Sequence, residues 1–138
     1  MAEVQYLSLD IVTPQKTIYS GNVESVSVPG ALSPFQILHN HAPIVSSLDL
    51  GMIKIIDSAK KTQWFVATTG FIEVIDNKIS ILVESAEDPA KADTVKLETL
   101  LNSTRQKLAD NINPDDTEAL KSEIARLELS IKAKGRYS

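Results

Sequence analysis

Ile79-Ser80-Ile81-Leu82-Val83-Glu84-Ser85-Ala86-Glu87-Asp88-Pro89 is where this chain changes its period. Before Ala86, apolar residues recur at every second position, the period of a half-buried strand. After Pro89 they recur at steps of three and four, the spacing of one helical face. The change at Ala86, with Glu87-Asp88-Pro89 as the border, predicts a β-rich domain over residues 1–87 and an α-helical region over 88–138.

Upstream of that border, Leu7, Leu9 and Ile11 alternate with Ser8 and Asp10 until Thr13-Pro14 breaks the run. Thr17-Ile18-Tyr19 reads as a second short strand and Gly21-Asn22 as a turn. Val23, Val26 and Val28 belong to a third strand, closed by Pro29-Gly30. Further β segments are expected at 35–38, 44–48, 52–57, 63–68, 71–75 and 79–84. Asp76-Asn77 suits a two-residue hairpin turn, because both residues tolerate positive φ. Many short strands at close spacing predict a flattened antiparallel β-sandwich or barrel.

Downstream, Leu97, Leu101, Thr104 and Leu108 lie on one helical face, with Asp93 as N-cap. Asn111-Ile112-Asn113-Pro114 stops that helix and starts another: Asn113 suits an N-cap and Pro114 the first helical position. Leu120, Ile124, Leu127 and Ile131 repeat the stripe, and Lys132, Lys134 and Gly135 read as the helix end. Two striped helices and a short loop predict an antiparallel two-helix hairpin. The fold class is mixed: β first, then α.

Composition admits this reading. Of 138 residues, 43 % are apolar and 23 % charged, enough for a packed core. The start, Met1-Ala2-Glu3-Val4, lacks the basic and apolar regions of a signal peptide. No apolar run reaches the roughly 18–20 residues that span a bilayer, so direct membrane insertion is not expected. Residues 1–88 carry five basic and ten acidic side chains; residues 89–138 carry nine and eight. An acidic body with a basic helical tip suggests two partner surfaces, against the blander reading of a solvated helix end.

Catalytic chemistry is hard to find. Without cysteine there is no thiolate nucleophile or thiolate metal site. The five glycines form no phosphate-cradling loop. His39 and His41 would share one face of a strand, yet a third metal ligand at suitable spacing is missing, and a structural role for His41 before Ala42-Pro43 is the stronger reading. Glu84, Glu87 and Asp88 read as an exposed cluster at the border, and Asn102-Ser103-Thr104 as a chance sequon inside a helix. Trp64-Phe65 is explained by core packing, and the negative total charge argues against nucleic acid.

Several segments, in order, resemble the ε subunit of F-type ATP synthases, of bacterial or plastid type. They are Leu9-Asp10-Ile11-Val12-Thr13-Pro14, the stretch from Ile18-Tyr19-Ser20-Gly21 to Val28-Pro29-Gly30, and Ile37-Leu38-His39-Asn40-His41-Ala42-Pro43-Ile44-Val45. Gly51-Met52-Ile53-Lys54-Ile55 and Gly70-Phe71-Ile72-Glu73-Val74 follow. The resemblance covers residues 5–86 by residue and the helices by architecture.

It implies a non-catalytic central-stalk subunit of a proton-translocating synthase, peripheral on the cytoplasmic face of an energy-transducing membrane. The sandwich would sit on the γ subunit beside the c-subunit ring, with Ala31, Leu32, Ser33, Pro34 and Phe35 in the ring-facing loop and His41 nearby. The helices would reach the catalytic α/β head and restrain ATP hydrolysis, with Arg105, Lys107, Lys121, Arg126, Lys132 and Lys134 as exposed cations for an acidic partner segment. Pro34 stands where the family often has an acid, and Gln36 and Asn40 where glycines are common. Some members bind ATP between the folded helices. Here that motif is degraded to Asp93, Lys96 and Arg126, and lysine lacks the planar fork of arginine, so no cofactor is expected. A free-standing adaptor or chaperone with a helical docking hairpin is the alternative.

Overall fold

The structure, a computed structural model, describes residues 5–137. Met1–Val4, and with them the reading of the chain start, lie outside the described residues. The chain folds as two compact units, one ending at Glu87 and one beginning at Asp88.

The first unit is a nine-stranded β-sandwich: β1 Leu7–Val12, β2 Thr17–Val28, β3 Phe35–Ile37, β4 Ile44–Leu48, β5 Gly51–Asp57, β6 Thr62–Ala67, β7 Gly70–Ile75, β8 Lys78–Val83 and β9 Ala86–Glu87. Strand order is β4-β7-β8-β1-β2-β5-β6-β9, with β3 added beside β2. Strands pair antiparallel except β1 with β8, which are far apart in sequence, free of any hairpin constraint, and parallel.

Gly21-Asn22 is not a turn. Gly21 lies opposite Leu9 inside the 12-residue strand β2, and no glycine among the described residues has positive φ. The first half of β2 pairs with β1, and its second half with β3 and β5. Between them the register with β5 slips: Val23 faces Asp57, and Ser25 faces Ile56. That bulge rephases the strand. Tyr19 and Val23, at odd positions, point inward before it; Val26 and Val28, at even positions, point inward after it. One strand thus serves both layers.

The core between the layers is largely aliphatic. Leu7, Leu9, Ile11, Val23, Val26, Ile37, Ile53, Ile55, Ile72, Ile79 and Ile81 are all fully buried. Burying one such side chain stabilises by about 1.5–3 kcal/mol. Two glycines permit close approaches, one between neighbouring strands and one within a loop. A Cβ on Gly70 would strike the Leu82 carbonyl and Val83 backbone, and one on Gly30 would strike the Ser33 carbonyl and the Phe35 ring. At the hairpin joining β7 to β8, Asp76 and Asn77 have φ of 49° and 61°, the left-handed pair that a tight turn demands.

The second unit opens with a 3₁₀ turn, Pro89–Lys91, capped by Asp88, whose carboxylate accepts from Ala90 N–H at 2.9 Å. Helix α1 follows, Thr94–Asp110, with the Asp93 carboxylate accepting from Lys96 N–H at 3.2 Å as N-cap. Helix α2 runs Pro114–Tyr137, with Asn113 Oδ1 accepting from Asp115 N–H at 3.0 Å. Gly135 does not end α2, which continues for two residues beyond it. Buried positions are Leu101 and Thr104 on α1, and Leu127, Ser130 and Ala133 on α2. The sequon lies inside α1, and the hydroxyl of its Thr104 donates to the Leu100 carbonyl at 2.8 Å. Neither helix is long and apolar enough to cross a membrane.

Candidate interaction surfaces

A strand with period two can turn only one member of an apolar doublet into the core between the layers. Ile11-Val12, Ile44-Val45, Phe71-Ile72 and Leu82-Val83 are four such doublets. Ile11, Ile72 and Val83 turn into the core and Ile44 packs against it. Val12, Val45, Phe71 and Leu82 turn outward, and Val45, Phe71 and Leu82 are 71 %, 58 % and 55 % exposed. The register joins three of them: Leu82 lies opposite both Phe71 and Val12, while Phe71 faces Ser47 on β4 and Val45 lies opposite Glu73. The result is an apolar row across three strands, β1, β8 and β7, with the exposed Val45 of β4 set off from it by two residues. It borders an open groove of about 690 Å³ that Pro14, Leu48 and Gly70 also line. The row is absent from the site residues expected from the sequence, although the doublets signalled it. The same rule corrects Trp64-Phe65: Phe65 is core, while Trp64 is only half-buried and carries Lys54 Nζ 5.5 Å from its ring centroid.

The loop Ala31–Phe35 leaves β2 through a short bridge between Gly30 and Leu48. Ala31 N–H donates to Ser47 O at 3.0 Å, and Asp49 N–H donates to Pro29 O at 2.9 Å. Phe35 folds back against Gly30, while Leu32 is fully exposed and Ser33 and Pro34 are exposed. The loop is therefore anchored at both ends, with an apolar side chain at its apex.

His39 and His41 do not share a strand face, because residues 38–43 run between β3 and β4 outside any strand. His41 Nδ1 sits 2.7 Å from the Ala42 carbonyl oxygen, and its backbone N–H donates to Leu38 O at 3.1 Å. His39 meets Asn77 instead. No cluster of three metal-ligating side chains exists among the described residues. Glu84 and Glu87 are exposed, in keeping with a solvated border.

On the hairpin, the six expected cations do not form one exposed set. Lys107, Lys121 and Lys132 are exposed. Arg105 is exposed but pairs across the helices with Glu128 at 2.9 Å. Arg126 is only partly exposed and bonds Glu123 through Nε at 3.1 Å, which holds the Glu123 carboxyl below the usual carboxylate range against the opposing effect of burial. Lys134 is half-buried, and its Nζ donates to the Ala90 carbonyl oxygen at 2.6 Å. That bond also corrects the basic tip. Antiparallel packing returns Lys132, Lys134 and Arg136 to the root of the hairpin, whereas its far end carries Asp110, Asp115, Asp116 and Glu118.

Asp93, Lys96 and Arg126 differ in their surroundings. Asp93 is spent on its cap, and Lys96 is exposed. Ala90 lies beside Lys134, eight residues from Arg126, or about 12 Å along α2.

Elsewhere in the sandwich, Asp57 organises the β5–β6 turn. Its carboxylate accepts from Lys61 N–H and Ala59 N–H, both at 2.9 Å, and from Gln63 Nε2 at 3.1 Å. The Lys61 bond above all, then Gln63 and Ala59, holds this carboxyl below the usual range. Partial burial, with the nearby Asp57 charge, raises the Tyr19 hydroxyl.

The class these features define is a β-sandwich followed by a two-helix hairpin. The family described as "ATP synthase, Delta/Epsilon chain, beta-sandwich domain" matches residues 6–89. The ATP synthase epsilon chain of Maricaulis maris is 34 % identical over 122 residues, 88 % of this chain and 91 % of the relative. That of Syntrophomonas wolfei is 30 % identical over 136 residues, 96 % and 98 % of the two chains. A chain of the Euglena gracilis mitochondrial ATP synthase, in its OSCP/F1/c-ring structure, shares the fold with TM-score 0.77 at 18 % identity, over 96 % of this chain and 84 % of that one. The chain belongs to the ATP synthase epsilon-chain family.

Proposed function

We propose that this chain is a non-catalytic rotor subunit of an F-type ATP synthase. Its sandwich couples the γ subunit to the c ring, and its hairpin restrains ATP hydrolysis at the α/β head. The observation that carries the coupling role is the outward row Val12, Leu82 and Phe71 on a sheet whose other face is packed against the core. A rigid face with apolar side chains in register gains by being covered, at about 25 cal/mol per Å² of apolar surface. We assign that row to γ and the anchored loop Ala31–Phe35 to the c ring, with Leu32 making the contact in place of an acid. His41 holds the connection behind the loop. The exposed Lys107, Lys121 and Lys132 are the cations left to meet an acidic segment of the head. Each exposed pair contributes about 0–1 kcal/mol and weakens with salt, so restraint needs several together. The subunit works peripherally, on the cytoplasmic face of the membrane that houses the complex.

The test mixes the purified chain with a γ-containing head complex and reads binding and ATPase rate together. The chain should bind and lower the rate. The double variant Phe71→Glu, Leu82→Glu should keep its circular dichroism spectrum and lose binding. Deleting residues 89–138 should preserve binding and raise the ATPase rate. Failure of the intact chain to bind γ, with capture of unrelated clients instead, would support the free-standing adaptor.

A further inference from the structure

The β3–β4 connection meets the β7–β8 turn through side chains of both. Asn77 Oδ1 accepts from the backbone N–H of Asn40 at 2.6 Å. A backbone N–H can only donate, so it fixes which way the Asn77 amide points. Asn77 Nδ2 must then be the atom facing His39 Nε2 at 3.2 Å and Asn40 Oδ1 at 3.2 Å. An amide nitrogen also only donates. For that contact to be a hydrogen bond, His39 Nε2 has to present its lone pair, which requires the tautomer with hydrogen on Nδ1.

His41, two residues on, has the opposite logic. Its Nδ1 faces a carbonyl oxygen and must donate, which a neutral or a protonated ring can do equally. Protonation leaves the His41 bond intact but turns the His39 bond into N–H facing N–H. The charged groups on the segments that meet here are Asp76 and Lys78, flanking Asn77. From the neighbouring β1, Ser8 N–H donates to the Asn77 carbonyl at 2.9 Å, and Tyr6 turns its hydroxyl to Ser58 O at 3.4 Å. Among the described residues no ion pair engages His39.

We infer that His39 is a pH-sensitive clip: its neutral ring ties the β3–β4 connection to the β7–β8 turn through Asn77, and its protonation releases that tie. Asn40 and Asn77 hold positive φ, at 63° and 61°, so both segments are tightly turned and their junction rests on these few bonds.

The full-length chain, labelled with nitrogen-15, gives the test. At about pH 8 the His39 ring should show the Nδ1–H tautomer. Between about pH 8 and about pH 5, the window in which imidazoles change charge, the exchange protection of the Asn40 amide should fall by about tenfold. His39→Gln should abolish this dependence, and His41→Gln should leave it. Asn77→Asp should reverse it, because a carboxylate accepts from a protonated ring. An Nε2–H tautomer at pH 8, or Asn40 protection that is flat across the window in the unaltered chain, would overturn the clip. So would an Asn77→Asp variant with the same slope as the unaltered chain.

Discussion

The sandwich and the hairpin bury different kinds of side chain. Eleven large aliphatics of the sandwich named above have no exposed surface at all. The five buried positions of the hairpin are Leu101, Thr104, Leu127, Ser130 and Ala133, two leucines among small or hydroxyl-bearing residues. The Ser130 hydroxyl, buried, has no hydrogen-bond partner among the described residues, a cost that an aliphatic core does not carry. The sandwich thus rests on an aliphatic core, and the helical pair on a narrower seam of mixed side chains.

Four measurements put that contrast at risk. Ile81→Ala removes a fully buried side chain from the aliphatic core and should cost about 2–5 kcal/mol, read by urea denaturation. Leu127→Ala should cost about 2–3 kcal/mol, expressed as lost helical circular dichroism while the amide protection of β1 and β8 persists. Equal loss of protection in both units would erase the distinction drawn here. Asp57→Asn probes acid stability within the platform. The folded carboxyl sits below its unfolded value, so its contribution is fully present above the unfolded value and lost as pH falls through the lowered folded one. The variant should therefore flatten the acid limb of a stability-against-pH curve and leave a smaller dependence. Arg105→Ala breaks an exposed pair, and its effect on helix stability should be at most about 1 kcal/mol, fading with salt.

Much of this was legible in the residues, for reasons that can be named. Asp93 and Asn113-Pro114 announced both helix starts because capping is local chemistry. Asp76-Asn77 announced its turn because few residue pairs accept that backbone. Gly21-Asn22 misled because a glycine also fits an extended strand, and what holds it extended is pairing with Leu9, a partner twelve residues away. The bulge in β2 was written into the three-residue step from Val23 to Val26, a break in period two. The outward row needed strand register, which no single strand carries. The cations needed the hairpin closed: only then do Lys134 and Ala90 meet and the far end become acidic.

Strand β2 has a mechanical consequence. Because its two halves are hydrogen-bonded into different layers, sliding one layer over the other would have to stretch a continuous peptide backbone. Side-chain packing alone would yield to such shear. A twist delivered to the layer bearing Phe71 would reach the layer bearing Trp64 through covalent bonds, as through the single bent rib of a torsion box.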